Sequence, residues 1–334
     1  MKRTLSIQDT IPSIDISGFF DGTNREKAQI AEEAAAACGD IGFLLISGHG
    51  IPEETLDTIF QKTFTFFDLP FEEKMKWCPV GTAKQRGYQV LGSRNLASTI
   101  GQIAPPDLRE TIFLGPVDDH REYFSEISWS ENAYAPNIVP KGSQKTQQLF
   151  EEIYRLFENL ASVIMRILAI ALELPEAYFS TFIDRHFSVL GLHHYPTLSD
   201  APKKNQLRAG AHTDFGAITI LAISGSAGGL EVKSKDGNWL RVLPRKGELV
   251  VNLGDMMQRW TNDTWVSTLH RVTNHEYPGQ KGDRLSIAYF LHPNFDSIIQ
   301  CIDRTVKIGE QPRYKPITAG EHIRQKMEAS ISSK

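Results

Sequence analysis

The segment Ala211–Gly216, with the sequence AHTDFG, contains two side chains that could bind a metal ion together. On a β-strand, residues i and i+2 point to the same face, so the imidazole of His212 and the carboxylate of Asp214 would converge. A third candidate is His270, in another strand-like run that an antiparallel barrel could bring alongside. Two histidines and one carboxylate on one face of an ion leave the opposite positions open, which is typical of non-haem Fe(II) centres that activate O₂. Zinc would accept the same ligands, but a catalytic zinc would also need a general base, and the sequence pattern indicates no residue for that role.

A second pair of polar residues lies further along the chain. Arg284 and Ser286 are also two residues apart in a strand-like run, so they would share one face. A guanidinium group offers a planar fork to a carboxylate, and the neighbouring hydroxyl adds a donor. If the strand faces the inside of a barrel, burying this arginine costs free energy unless an anion is bound to it. The alternative interpretation is that Arg284 and Ser286 are exposed and face solvent. Together with the three metal-ligand candidates, this pair indicates a metal site beside a carboxylate anchor.

The first half of the chain is predicted to be mainly helical. Thr23 and Glu26 have the spacing of a capping box ahead of an alanine-rich helix over 25–38, and a strand is predicted at Gly42–Ser47. Pro52 opens a second helix. A longer amphipathic helix is predicted from about Gln144 to Leu174, because its apolar residues recur every three or four positions and Pro175 stops it.

After Phe187 the pattern changes to short runs rich in β-branched and aromatic residues, separated by turn residues. The predicted strands are Val189–Tyr195, Ile218–Ile223, Leu230–Lys233, Trp239–Val242, Leu249–Leu253, Leu269–Thr273 and Leu285–Leu291. This spacing favours an antiparallel sandwich or barrel of the jelly-roll kind. We therefore predict a mixed α+β, mainly β fold in a single domain, 1–334, with a helix-rich part over 1–187, a jelly-roll core over 188–310 and a C-terminal tail over 311–334.

Composition excludes several classes of function. The chain of 334 residues has 41% hydrophobic and 23% charged residues, as globular proteins do. With 36 Lys and Arg and 40 Asp and Glu, its net charge is 36 − 40 = −4. A mildly acidic chain is a poor candidate for binding nucleic acid, because contacts with phosphate groups need basic residues. Three scattered cysteines favour a reducing, cytoplasmic setting. No apolar run has the ~20 residues that a membrane span needs, and no pattern indicates an oligomeric state.

The motifs taken together resemble the isopenicillin N synthase-like branch of the Fe(II)/2-oxoglutarate-dependent oxygenases. Within that branch, the stretch from Arg208 to Phe290 is most similar to the thymine hydroxylases, which oxidise a pyrimidine methyl group. Besides the HTD, HRV and RLS segments, the segments that carry the resemblance are Ile11–Asp15, Gly42–Ile51, Phe66–Pro70, Arg86–Tyr88, Asp107–Glu110, His194–Pro196, Val250–Asp255 and Thr261–Asp263.

The resemblance implies a fold and a role for each candidate residue. The implied fold is a double-stranded β-helix, which is a jelly-roll barrel flanked by helices. The implied iron ligands are His212, Asp214 and His270, and the implied partners of the distal carboxylate of 2-oxoglutarate are Arg284, Ser286 and the hydroxyl of Tyr195. The family often has Asn two residues before that tyrosine, where this chain has His193.

The implied activity is an oxygenase that uses Fe(II), O₂ and 2-oxoglutarate. It would couple hydroxylation, desaturation or cyclisation of a small organic substrate to conversion of 2-oxoglutarate into succinate and CO₂. One alternative is an iron oxidase that, like isopenicillin N synthase itself, does not use 2-oxoglutarate. A second is a jelly-roll binding protein whose metal is structural or absent. The residues expected around the substrate are Arg86, Tyr88, Phe215 and Trp260, with Arg86 or Arg94 as an anchor for a substrate carboxylate or phosphate unless these arginines face solvent.

Overall fold

Two β-sheets of eight and four strands form the core of the structure. They are seen in a computed structural model that describes residues 11–79, 85–198, 200–224, 229–274 and 282–332. The strands are β1 (Ser13–Asp15), β2 (Phe43–Ser47), β3 (Gly87–Gln89), β4 (Glu110–Leu114), β5 (Val189–Tyr195), β6 (Ala209–His212), β7 (Ile218–Ile223), β8 (Leu230–Lys233), β9 (Trp239–Arg241), β10 (Leu249–Leu253), β11 (His270–Val272), β12 (Arg284–Leu291), β13 (Ile298–Ile299) and β14 (Ile317–Thr318).

The helices precede, interrupt and follow these strands. They are α1 (Gly18–Asp21), α2 (Asn24–Asp40), α3 (Glu53–Phe67), α4 (Phe71–Met75), α5 (Ser130–Ala133), α6 (Gln144–Ala171), α7 (Asp255–Trp260) and α8 (Ala319–Ser332). The predicted capping box is present at the start of α2, where the Thr23 side chain and the Glu26 side chain each accept the other residue's backbone N–H. Among the described residues, no helix is long and apolar enough to cross a membrane.

The large sheet has the strand order β1-β2-β10-β7-β12-β5-β4-β3, and the small sheet has the order β6-β11-β8-β9. Neighbouring strands in both sheets are antiparallel, except that β1 pairs with β2 in parallel. The large sheet therefore joins strands from the helix-rich part of the chain to strands from the predicted jelly-roll core.

Alternation along the strands separates the two faces of the large sheet. In β12, the side chains of Leu285, Ile287, Tyr289 and Leu291 belong to a hydrophobic core that includes α2, α3 and α6. The intervening residues Arg284, Ser286, Ala288 and Phe290 line a compartment on the opposite face. This strand therefore contributes one face to the helix-packed core and the other face to the interior of the barrel.

A second core lies between the two sheets. It contains Phe43, Leu45 and Val250 from the large sheet and Val232 and Val272 from the small sheet, all of them buried. Two antiparallel sheets packed face to face, with helices covering the outside of one of them, form a jelly-roll. The predicted fold class is confirmed, and the predicted strands agree with the observed ones to within one residue at each end.

The sequence did not predict six strands of two to five residues each, which are β1, β3, β4, β6, β13 and β14. Segments this short give a weak alternating pattern. Strands of similar length, such as β8 and β9, were predicted because clear turn residues flank them. The long helix was predicted to end at Leu174 but ends at Ala171, because the last turn before Pro175 leaves the helical path.

The packing of α6 against the large sheet generates a stability prediction. Phe157 lies in the middle of α6 and is fully buried, so replacing it with alanine leaves a cavity. We expect Phe157→Ala to lower the free energy of unfolding by about 3–5 kcal/mol, measured by urea denaturation. Phe71, whose side chain is 52% exposed, is the matched control, and Phe71→Ala should change stability by less than about 1 kcal/mol. Equal losses in the two variants would contradict this account of the core.

Candidate active site

Three potential metal ligands meet where the small sheet faces the barrel interior. His212 ends β6, His270 begins β11, and the two residues are direct partners in the antiparallel pairing. Asp214 follows β6 by two residues. One ligand atom from each residue lies within 4.8 Å of the others, and the Asp214 Oδ1 atom is 3.7 Å from His212 Nε2 and 3.8 Å from His270 Nε2. The sequence-predicted triad is thus brought together by the fold.

The other oxygen of Asp214 is held by two side chains of the large sheet. Thr219 Oγ1 donates a hydrogen bond to Asp214 Oδ2 over 2.6 Å, and Asn252 Nδ2 donates one over 2.8 Å. These contacts satisfy Oδ2 and leave Oδ1 directed at the two histidines. Hydrogen bonds of this kind orient metal-binding carboxylates. Sequence reasoning did not assign a role to Thr219 or Asn252, although each lies on the inner face of its strand.

Both histidines are held in an orientation suited to metal binding. His212 Nδ1 lies 2.8 Å from the carbonyl oxygen of Gly210, and His270 Nδ1 lies 3.0 Å from that of Thr268. Because a carbonyl only accepts hydrogen bonds, each Nδ1 must carry the proton. Each Nε2 then presents its lone pair toward Asp214, which is the tautomer that a metal requires.

The electrostatics of this cluster favour deprotonated ligands. Burial and the neighbouring His270 lower the pKa of His212 to about 3. Burial raises the pKa of Asp214, but the two histidines and the hydrogen bonds from Thr219 and Asn252 lower it more. The pKa of Asp214 therefore lies below its usual range. At neutral pH His212 is neutral and Asp214 is ionised, so no proton has to leave either ligand before a cation binds.

A buried arginine lies on the same inner face. Arg284 is 1% exposed, and its Nε, Nη1 and Nη2 atoms have no hydrogen-bond partner within the part of the chain that the structure describes. Its guanidinium carbon lies 4.5 Å from the centre of the Tyr195 ring, the residue directly opposite it on β5. A buried guanidinium without a partner is strongly unfavourable, so this site is suited to an anion that completes it.

The predicted neighbours of Arg284 lie in the same compartment. Ser286 and Tyr195 line it together with Arg284 and all three metal-ligand candidates. Burial raises the pKa of Tyr195, but the positive charges of Arg284 and Arg109 and hydrogen bonds with Ser286 and Arg109 lower it more. The residues predicted to bind metal and keto acid therefore surround one space.

A second compartment of about 160 Å³ adjoins the metal-ligand cluster. Phe215, one of the predicted substrate residues, lines it beside His212 and Asp214. The other lining residues are Gln85, Arg94, Leu96, Thr99, Arg109, Phe113, Val189, His193, Thr213, Phe290, His292, Ile323 and Met327. The last two belong to α8, so the C-terminal helix closes one side of this cavity.

His193, the departure from the family pattern, lies in the wall that both compartments share. Its Nδ1 atom is 2.9 Å from Thr111 Oγ1. Burial, together with the positive charges of Arg109 and Arg284, lowers its pKa well below the usual range, so the ring is neutral. His193 therefore lines both compartments without adding a charge to either.

Three of the four predicted substrate residues do not line the cavity beside the metal-ligand cluster. The guanidinium of Arg86 donates to the backbone carbonyls of Ala133, Ala135 and Gln85 over 2.6–2.9 Å, and therefore joins two chain segments. Its neighbour Gln85 reaches the cavity instead.

Tyr88 and Trp260 are buried on the helical side of the large sheet. Tyr88 donates its hydroxyl hydrogen bond to Glu110, which also accepts one from Lys74. Trp260 packs edge-on against Phe179 and Phe182. Neither side chain lines the cavity beside the metal-ligand cluster, because both belong to the core on the other face of the sheet. A sequence motif does not specify which face of a sheet its side chains occupy, and the predicted contact of these residues with substrate stays a prediction.

A jelly-roll barrel that brings two histidines and a carboxylate together on one face defines the class of non-haem iron oxygenases. Comparison with known families agrees with this class. Residues 11–142 match the model described as the non-haem dioxygenase in morphine synthesis N-terminal region, and residues 186–293 match that of the 2OG-Fe(II) oxygenase superfamily. The chain belongs to the 2-oxoglutarate-Fe(II) oxygenase superfamily.

Individual relatives are similar along almost the whole chain. The 2-oxoglutarate-Fe(II) type oxidoreductase hxnY of Emericella nidulans is 34% identical, over 94% of this chain and 88% of its own. Proline hydroxylase buaE of Petromyces alliaceus is 31% identical, over 91% and 94%. The thymine hydroxylase of Neurospora crassa, in its crystal structure with α-ketoglutarate and thymine, is 30% identical. That match covers 98% of this chain and 99% of the other, with a TM-score of 0.83.

These findings establish the enzyme class. The protein is a non-haem Fe(II) dioxygenase that uses 2-oxoglutarate and O₂ to oxidise a small organic molecule. The alternative without 2-oxoglutarate is not favoured, since relatives are named as 2-oxoglutarate enzymes and the thymine hydroxylase structure holds α-ketoglutarate. The non-enzymatic alternative is excluded on the same grounds.

The hydrogen bonds to Asp214 predict how metal affinity depends on residues that are not ligands. Removing the Asn252 amide leaves Asp214 Oδ2 with one fewer donor and frees the carboxylate to rotate. We expect Asn252→Ala to weaken Mn(II) or Fe(II) binding roughly 10–100-fold, measured by anaerobic metal titration. Asn238, which is exposed in the turn after β8, is the control, and Asn238→Ala should bind metal as the wild type does. Unchanged affinity in Asn252→Ala would show that this contact does not position the ligand.

Proposed function

We propose that His212, Asp214 and His270 hold the catalytic Fe(II), and that Arg284, Ser286 and Tyr195 hold the distal carboxylate of 2-oxoglutarate. The observation that carries this proposal is the buried guanidinium of Arg284, whose three nitrogen atoms have no partner among the described residues. It lines one compartment with the three ligand candidates, so a dicarboxylate held by Arg284 would reach the metal with its other end.

The ligand set suits iron, since two imidazoles and one carboxylate leave coordination positions open for a bidentate keto acid and for O₂. The bound metal, keto acid and O₂ supply the oxidising power, and the residues of this chain place the substrate beside them. Phe215, Phe113 and Phe290 give the cavity an apolar wall, which excludes water from the reacting C–H bond.

We propose hydroxylation as the outcome, because proline hydroxylase is among the similar proteins and the thymine hydroxylase structure contains thymine. In this reaction a substrate C–H, O₂ and 2-oxoglutarate give C–OH, succinate and CO₂. One oxygen atom enters the substrate and the other enters succinate. Desaturation and cyclisation remain the other outcomes that the class allows. Of the four residues first predicted to contact substrate, the geometry supports Phe215.

We also propose that the chain acts as one domain, since strands β1 to β4 of the helix-rich part pair into the same sheet as β5, β7, β10 and β12. The cysteines Cys38, Cys78 and Cys301 are free thiols, which supports the proposed cytoplasmic setting. The expectation that the protein does not bind nucleic acid stays a prediction.

The role of Arg284 predicts a large and selective loss of 2-oxoglutarate affinity. Removing one partner of a buried charge pair costs about 3–5 kcal/mol, so Arg284→Leu should weaken 2-oxoglutarate binding by a factor on the order of 10² or more. Ser286→Ala should cost about 1–3 kcal/mol, because a neutral donor to a charged group is lost. Neither variant should change Fe(II) stoichiometry. The measurement is a 2-oxoglutarate titration of the anaerobic Fe(II) protein, following the visible charge-transfer band of the chelated keto acid.

Arg121, an exposed arginine paired with Asp119, is the matched control. Arg121→Leu should bind 2-oxoglutarate as the wild type does. If Arg284→Leu also keeps wild-type affinity, Arg284 is not the anchor. If the iron-loaded wild-type protein gives no band at millimolar keto acid, the proposed arrangement of metal and keto acid is wrong.

A further inference from the structure

A buried histidine lies behind the proposed keto-acid anchor, on the other face of the large sheet. His194 precedes Tyr195 on β5, so its side chain points away from the compartment that Tyr195 lines. The ring of His194 is buried and stacks on Phe67 of α3, with 5.0 Å between the ring centres. Its partner in the pairing of β5 with β12 is Leu285, the residue after Arg284. His194 is therefore close to the anchor along the sheet without lining the keto-acid compartment.

Both ring nitrogens of His194 face carboxylate groups. Nδ1 lies 2.8 Å from Glu110 Oε1 on β4, and Nε2 lies 3.0 Å from Asp283 Oδ2, directly before β12. Burial raises the pKa of both carboxyl groups, but their hydrogen bonds lower it more, so both pKa values lie below the usual range. Both groups are ionised at neutral pH and can only accept hydrogen bonds. His194 must then donate from both nitrogens, which makes its ring an imidazolium.

The two carboxylates differ in their other contacts. Glu110 also accepts hydrogen bonds from Lys74 Nζ over 2.9 Å and from a tyrosine hydroxyl. Asp283 Oδ1 accepts from the backbone N–H of Thr197 over 2.6 Å and from its hydroxyl over 2.8 Å. Without His194, Glu110 would keep two donors, whereas Asp283 Oδ2 would have none among the described residues. The imidazolium is therefore needed more by Asp283 than by Glu110.

Arg284 lies at a strand end that is paired on one side. It is the first residue of β12 and pairs with Tyr195 of β5, whereas the pairing of β12 with β7 begins at Ser286. The Arg284 side chain contacts the Tyr195 ring, and its nitrogen atoms have no hydrogen-bond partner among the described residues. The place of the guanidinium group therefore depends on the backbone at the start of β12. Asp283 ties that backbone to the chain that leaves β5, through His194 and Thr197.

We propose that His194 and Asp283 are positioning residues for 2-oxoglutarate, because their hydrogen bond fixes the start of β12 and so places the guanidinium of Arg284. This inference rests on the proposed function, since it assumes that Arg284 binds the keto acid. Neither residue lines the keto-acid compartment, so both act through Arg284. A bond from an imidazolium to a carboxylate is charge-assisted, which makes it stronger than a bond between neutral groups.

The test separates the two hydrogen bonds of His194. The amide nitrogen of glutamine lies near the position of histidine Nε2, whereas that of asparagine lies near Nδ1. His194→Gln therefore keeps a donor for Asp283, and its affinity for 2-oxoglutarate should stay within about threefold of the wild type. His194→Asn keeps a donor for Glu110 instead, and it should bind 2-oxoglutarate roughly 10-fold more weakly. The measurement is a 2-oxoglutarate titration of the whole chain loaded anaerobically with Fe(II), following the charge-transfer band.

Asp283→Ala removes the same bond from the other side. The side chain of Asp283 is 40% exposed, so this variant tests the contact even if a change at the buried His194 prevents folding. It should weaken 2-oxoglutarate binding roughly 10-fold or more, and adding His194→Asn should weaken it little further, because both changes remove one contact. Asp236, exposed in the turn between β8 and β9, is the control, and Asp236→Ala should bind as the wild type does.

Fe(II) affinity and the melting temperature of each variant distinguish positioning from a general role in the fold. Positioning of Arg284 predicts weaker 2-oxoglutarate binding with unchanged Fe(II) affinity, because the metal-ligand candidates lie on other segments of the chain. A parallel loss of Fe(II) affinity overturns the inference. Wild-type 2-oxoglutarate affinity in Asp283→Ala also overturns it, as does equal affinity in His194→Gln and His194→Asn.

These outcomes are distinguishable from failure of the proposed function. In each of them, the iron-loaded wild-type protein still binds 2-oxoglutarate and shows its band, so the keto acid keeps its proposed place and only the role of His194 and Asp283 is rejected. A wild-type protein that gives no band at millimolar 2-oxoglutarate overturns the proposed function itself, and the positioning role is overturned with it.

Discussion

The site depends on the way that the two carboxylate oxygens of Asp214 bind different partners. A buried carboxylate must be compensated, and here the large sheet compensates one oxygen through Thr219 and Asn252 while the other faces two histidines of the small sheet. The same residue therefore links β7 and β10 to β6 and β11. A cation bound there would replace the repulsion between closely spaced ligands with attraction across the two sheets, so the stability of the barrel and the occupancy of the site are linked.

Much of this arrangement could be predicted from the sequence, because strand alternation relates spacing to direction. The spacing of His212 and Asp214, and that of Arg284 and Ser286, each placed two side chains on one face, and the structure brings all four into one compartment. The long helix α6 and the longer strands β5, β7, β10 and β12 were predictable for a related reason. Each is long enough to show its own period, 3.6 residues in a helix and two in a strand.

The remaining parts of the site depend on contacts between distant segments, for which a single sequence has no local signal. Arg86 and Arg109 are both arginines close to short strands, yet Arg86 donates to backbone carbonyls of the segment around Ala133 while Arg109 faces the cavity. Tyr88 and Trp260 were predicted to face substrate but lie in the helix-packed core. Their directions follow from which face of a sheet is covered, and that is a property of the assembled fold. The same applies to α8, whose contribution to the cavity was not foreseen.

The position of α8 has an evolutionary consequence. The residues proposed to bind iron and 2-oxoglutarate lie on barrel strands or directly after one, where most substitutions would also disturb a sheet. Ile323 and Met327, in contrast, lie one helical turn apart on α8, which follows the barrel strands in the chain. They line the cavity beside the metal-ligand cluster and a second cavity next to it. Substitutions at these two positions can reshape the space available to a substrate while the oxidising centre keeps its ligands. A lineage could therefore acquire new substrates by changing the end of the chain, without rebuilding the part that performs the chemistry.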